Sequence, residues 1–328
     1  MKNKKNEKFF SNSEKNVISI MNYKEIVIKT FAEKGKIVRP EDFVFTSKLT
    51  EIDSVGKNLF LKGDVDEFLL FLEKEKRVRY GGKIISPDIN STMVRILIDW
   101  LNEVHKEFDF NGTTFFLTVY ILYAFLDLAK IGIKKLQLAG LACTMIAAKY
   151  EEVEVPLPDR YIYISDNSYS KKELLRMEKI VLRKLEYEFM VPTVKTFQYF
   201  FRDLLFEMND MRKEDCSDIA KASSYLLRLS SLDVSFPSFL PSDLAIASLF
   251  VASRKIIGHH ENFEIMWEDF YSELSSVYNY EPSENYEENL IFIMYAYSKR
   301  NDENYKNIGT DAFKEIAEKL NNIKNEIK

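Results

Sequence analysis

Apolar residues recur at three- and four-residue steps along most of this 328-residue chain, and the phase of that recurrence divides it into helices. Met93, Ile96, Leu97, Trp100, Leu101, Val104 and Phe108 lay one stripe along an axis, with Asn90 or Ser91 as cap and Asn111-Gly112 as the stop. A second helix, Thr114 to Ala129, is apolar nearly all round, which predicts a central element surrounded by the others. A third spans Lys135 to Glu151, where Ala139, Ala142, Ala147 and Ala148 let neighbours approach closely. The fourth is short, Pro158 to Ile164, entered after Pro156. The fifth covers Lys171 to Leu185, with Ser170 and Glu173 spaced as a capping box. Pro192 closes the set, because a proline pushes the residue before it out of helical geometry.

Residues 193–299 read as a second, divergent copy of this five-helix unit. Phe197, Phe200, Phe201, Leu204 and Leu205 make its first helix, Ile219 to Leu232 its second and Pro241 to Ile257 its third. The likeness is one of pattern: LPSDLAIASLFVASRKI at 240–256 repeats the small residues and closing basic residue of LQLAGLACTMIAAKYEEV at 136–153. Residues 1–60 are rich in Lys, Asn and Glu and show no sustained period beyond a short helix at Tyr23 to Lys34, which predicts a flexible or partly ordered arm. Another helix begins at Asp64, capped by Asp64 or Asp66, with Phe68, Leu69 and Leu72 on one face and Gly81-Gly82 beyond it. The predicted domains are the arm at 1–60, the first unit with its preceding helix at 61–191, the second unit at 192–299 and a tail helix at 300–328.

Composition agrees with an all-α fold. Only 10 glycines and 8 prolines punctuate the chain, while 46% of residues are hydrophobic and 14% aromatic, which favours long helices joined by tight turns. A net charge of −5 gives no overall positive field to attract nucleic acid. The most apolar run, Phe115 to Ala129, is too short for a bilayer and carries Asp127. The opening MKNKKNEK leads into no apolar leader, so the expected compartment is the nucleus or cytoplasm, with no membrane partner.

Candidate chemistry is sparse. Cys143 and Cys216 stand singly and three histidines complete no zinc spacing, so both cysteines are expected to be buried thiols and no metal or cofactor is expected. No glycine-rich phosphate loop or nucleophile–histidine arrangement occurs. Glu151 and Glu152 are adjacent, diverge around a helix and read as a solvated face. The expectation is a protein that is not an enzyme. Lys149 is different: it closes an apolar stretch, so its ammonium must reach water or find acceptors.

Four blocks, MVRILIDWLNEV at 93–104, LQLAGLACTMIAAKYEEV at 136–153, RMEKIVLRKLEYEF at 176–189 and VPT at 191–193, resemble in order and spacing the cyclin box of A- and B-type cyclins. SLDVSFPSFLPSDLAIASL at 231–249 is similar to that family's second repeat, the stretch from Asp64 to its N-terminal helix, and NYKNIGTDAFKEIAEKL at 304–320 to the closing segment of B-type members. The resemblance implies two tandem five-helix cyclin-box repeats and a regulatory subunit that binds and activates a cyclin-dependent Ser/Thr protein kinase. It carries the family's kinase-binding lysine and glutamate to Lys149 and Glu178, and the apolar part of that surface to Tyr150, Tyr187 and Phe189. It also implies a shallow exposed patch of Met93, Leu97, Trp100 and Gln137, with Glu103 placed to meet a basic residue, that recruits substrates or inhibitors bearing a basic-x-leucine motif.

Departures from the family pattern are specific. Val94 and Tyr123 stand where the family has an arginine and an aspartate paired inside the box. Losing one partner of a buried pair costs roughly 3–5 kcal/mol, whereas exchanging both for packed apolar groups leaves the fold intact. Arg95, about 100° round the helix from Val94, alters the recruitment patch. Neither RxxL nor KEN occurs in residues 1–85. Two further readings use the same repeat: a transcription factor of the TFIIB type, whose basic face and zinc module this chain lacks, and a transcriptional cyclin or adaptor that pairs with a different kinase.

Overall fold

A computed structural model describes residues 83–189, 191–258, 260–283 and 286–298. The predicted helices at Tyr23 to Lys34 and from Asp64, and the tail beyond residue 299, lie outside these residues. The described residues form ten α-helices and two 3-10 turns, with no strand.

In the first repeat, α1 (Ser91–Glu107) starts where Asn90 Oδ1 accepts the Met93 N–H at 2.9 Å. It stops earlier than the sequence suggests, at Asp109, which takes a left-handed φ of 53°. A short polar side chain tolerates that region. Asn111 and Gly112 therefore open α2 (Gly112–Leu128) instead of closing α1. α3 (Leu136–Glu151) crosses α1 closely at Gly140, where an added Cβ would lie 3.0 Å from Leu97 Cδ1 and 3.2 Å from Leu101 Cδ1. The short α4 (Pro158–Ile164) has its expected bounds. α5 (Lys171–Lys184) carries the expected capping box: Ser170 N donates to Glu173 Oε2 at 2.8 Å, and Glu173 N donates to Ser170 Oγ at 3.3 Å. Left-handed Glu186 and Tyr187 follow it (φ 52° and 63°), so the chain turns well before Pro192.

The second repeat holds α6 (Val194–Met208), α7 (Lys213–Ser230), α8 (Pro241–Ile256), α9 (Phe263–Ser276) and α10 (Tyr286–Ser298). α7 begins ahead of the predicted Ile219, because its first turns are polar and held by the Arg212–Asp215 ion pair at 2.8 Å, outside the apolar period. Trp267 is fully buried against Phe250 and Phe270, with ring centroids 5.1 and 5.2 Å away.

α2 is buried along nearly its whole length because it serves both repeats. It packs on α3 and also on α6, and Phe116 stacks on Phe236 of the second repeat at 6.4 Å. Val94 is fully buried, as expected for an apolar replacement. Tyr123, by contrast, is no simple apolar filler: its hydroxyl donates to Asp233 O at 3.1 Å and towards Ser231 O at 3.4 Å. Tyr123 thereby joins the two repeats. Cys143 is buried, but Cys216 is only half-buried on the polar first turns of α7, contrary to expectation, and both are free thiols.

Candidate functional site

α3 buries every residue from Leu138 to Ala148 and then releases Lys149 in its last turn. The Lys149 ammonium donates to Glu178 Oε1, contributed by the buried face of α5. The lysine side chain remains 45% exposed and the glutamate 11%. An ammonium has three donors and a carboxylate two acceptor oxygens, so the bond between Nζ and Oε1 leaves both groups with capacity for an outside partner. The pair is also partly solvated, so its own contribution to stability is small.

The acids just after Lys149 fix the end of α3. Glu152 accepts from Asn111 N at 2.8 Å, from Asn111 Nδ2 at 3.0 Å and from the Thr114 hydroxyl. The first turn of α2 has no side-chain cap of its own, and this carboxylate supplies both the missing acceptor and a favourable charge at the helix N-terminus. Burial pushes the Glu151 carboxyl up from its ordinary pKa, with the Thr113 hydroxyl bond acting in the opposite sense. The expectation of a solvated acidic face is therefore corrected: the pair is a clamp between α2 and α3. No sequence signal marks it: Asn111 is a residue type that caps helices itself, and only the fold shows its side chain donating to Glu152 instead.

Tyr150 and Phe189 meet edge-to-face at 6.0 Å and 82°, half-buried against the core. Tyr187, on its left-handed backbone, is 59% exposed. Three apolar residues that sequence reasoning passed over, Val153, Leu157 and Tyr163, are also strongly exposed in the segment that follows Lys149. For Val153 and Leu157 the signal was the run EEVEVPLP at 151–158, too short and too proline-rich to continue a buried helix; Tyr163 lies beyond it in α4.

At the second predicted patch, Met93, Trp100 and Gln137 are half-buried and Glu103 is exposed. Gln137 Oε1 accepts from the Tyr169 hydroxyl at 3.3 Å. Leu97 is only 6% exposed, pressed against Gly140, and so lies beneath the surface instead of on it. Among the described residues no group of three or more His, Cys, Asp or Glu side chains could hold a metal, and no helix is long and apolar enough to cross a membrane.

Residues 66–190 match the cyclin N-terminal domain and residues 192–321 the cyclin C-terminal domain. The chain is 39% identical over 171 residues to G2/mitotic-specific cyclin-1 of Medicago sativa subsp. varia, covering 52% of this chain and 38% of that protein. It is 36% identical over 226 residues to cyclin-A2-3 of Arabidopsis thaliana (67% and 50%), and 34% identical over 216 residues to cyclin-B2-3 of the same plant (64% and 48%). The chain thus spans about half the length of the curated relatives it matches. In fold it is similar to a viral cyclin from herpesvirus saimiri, with a TM-score of 0.57 and 18% identity over 72% of this chain and 96% of the other. It also shares its fold with a chain of the CAK complex of Chaetomium thermophilum bound to ATP-gamma-S, at a TM-score of 0.51 and 15% identity over 85% and 87%.

Proposed function

This chain belongs to the cyclin family, with A-type and B-type mitotic cyclins as its relatives, and we propose that it is the regulatory subunit of a cyclin-dependent Ser/Thr protein kinase of the nucleus or cytoplasm. The single observation that carries this reading is the Lys149–Glu178 pair, an ion pair open to solvent on one side at the end of an otherwise sealed helix. In this reading Lys149 and Glu178 hydrogen-bond the kinase main chain beside its regulatory helix. Tyr150, Tyr187 and Phe189 supply rigid aromatic surface around them. The first unit, residues 61–191, holds that helix inward, so that the kinase's own Lys–Glu pair forms and its activation loop opens. The cyclin contributes no reacting group. It shifts the kinase between two conformations, by no more than its difference in affinity for them.

Lys149→Ala with Glu178→Ala is expected to weaken capture of the kinase on the order of 100-fold or more, as loss of a paired hot spot does. Far-UV helical content should stay unchanged, since removing both partners leaves no unpaired buried charge. Kinase binding equal to that of the unaltered chain would refute the assigned surface.

The second part of the proposal is substrate recruitment at the α1 edge, by Met93, Trp100 and Gln137 with Glu103 for the basic residue of a basic-x-leucine motif. Leu97 acts as the floor under them. Trp100→Ala with Gln137→Ala should slow phosphorylation of a substrate bearing that motif about tenfold, while a short peptide without it is phosphorylated as before. Equal losses on both substrates would reduce Trp100 to a packing role.

A further inference from the structure

On a different side of the first repeat, a hollow of about 560 Å³ opens between the α2–α3 connection and the middle of α5. Its apolar walls are Ile133, 48% exposed, and Ile180, 40% exposed, with Met177 at its base. Ile180 lies about 200° round α5 from Glu178, at 100° per residue, so this hollow does not share the Lys149–Glu178 face. Exposed Lys130, Lys134 and Lys135 rim it, against Asp88 as the one lining carboxylate.

The sign of the surroundings is unusual for a chain of net charge −5. Residues 130–135 carry three lysines and no acid, and α5 carries six basic residues against two acids. Both of those acids are occupied, Glu173 in the α5 cap and Glu178 with Lys149. The lysine-bearing backbone is held in place. Ile131 N donates to Ser86 Oγ at 2.9 Å, and the Tyr169 hydroxyl donates to Lys134 O at 3.2 Å within the 3-10 turn Ile133–Lys135. A backbone ordered before binding has that much less entropy to lose when it binds.

We infer that this groove docks an acidic linear segment of another protein, with one bulky apolar side chain seated between Ile133 and Ile180 and carboxylates on Lys130, Lys134 and Lys135. Charge complementarity selects the occupant: an apolar slot alone accepts any hydrophobe, but three lysines on one rim favour a segment that brings carboxylates and reject a basic one. The assignment is independent of the kinase-binding reading, since the two surfaces share no residue.

The test is fluorescence anisotropy on the full chain with a fluorescein-labelled, glutamate-rich peptide carrying one leucine and one phenylalanine. Saturable binding at low salt is expected, weakened by added salt because exposed charges are screened. Lys134→Glu with Lys135→Glu should weaken it about tenfold or more, and a glutamine-for-glutamate peptide should bind at least about tenfold more weakly. Both altered positions are exposed, so the variant should keep its helical signal. Absence of saturable binding, indifference to the charge reversal, or equal binding of the glutamine peptide would each overturn the inference. The competing occupant is the acidic stretch of this chain that begins at Asp64. If Asp66→Lys with Glu67→Lys raises peptide affinity about tenfold, the groove belongs to that stretch and the inference falls; unchanged affinity supports an outside partner.

Discussion

His105 lies wholly inside the first repeat, with Nδ1 2.7 Å from Leu101 O, Nε2 3.2 Å from Thr118 Oγ1, and the rings of Phe110 and Phe115 edge-on at 5.5 and 5.3 Å. Burial pushes its pKa down to about 4; the Leu101 carbonyl acts in the opposite sense and the charge of Arg228 adds to the fall. The native imidazole is therefore neutral where an unfolded one, titrating near 6.5, already takes a proton. Stability from this site is complete above about pH 6.5 and declines as the pH falls towards 4, by roughly 3 kcal/mol at most. Urea unfolding at a series of pH values across that window should show the midpoint falling with acid. In His105→Gln the slope across the same window should flatten; an unchanged slope would assign the acid sensitivity to other groups.

Helix starts were legible at Asn90 before α1 and at Ser170 with Glu173 before α5, where a side chain caps its own helix, and at Pro158, whose fixed φ suits the first position of α4; the Thr193 cap of α6 went unread. Contacts between elements were not legible. Lys149 and Glu178 are 29 positions apart and Glu152 and Asn111 are 41 apart, distances that no helical period spans. From its residues alone Lys149 offered only two outcomes, water or an acceptor, and it meets both; the identity of the acceptor came from the resemblance. Glu152 had no such guide and was read as solvated. Leu97 shows the same limit, since its place in the α1 stripe fits surface or core equally, and a glycine on another helix decides between them. Even the apolar girth of α2, which signalled a central position, did not reveal that its second covering is the other repeat.

The two repeats are joined by polar as well as apolar contacts, and most of them run through α2 and its neighbours. Arg228 of α7 donates to Asn102 and lies 4.3 Å over the Phe115 ring, while Gly112 admits the Lys195 side chain, where an added Cβ would come within 2.9 Å of Lys195 Cε. Tyr123 completes the seam through its hydroxyl. Groups shared in this way should make the repeats unfold as one unit, because opening either strands buried polar atoms in the other. The chain carries one tryptophan in each repeat, half-exposed Trp100 and buried Trp267, so each can report its own repeat once the other is replaced by phenylalanine. Coincident urea transitions are expected from the two single-tryptophan chains. Tyr123→Phe keeps the ring but removes the hydroxyl, and should lower both midpoints together by the equivalent of about 1–2 kcal/mol. If the Trp100 transition moves while the Trp267 transition stays in place, the Tyr123 contact does not couple the repeats, and each unfolds on its own account.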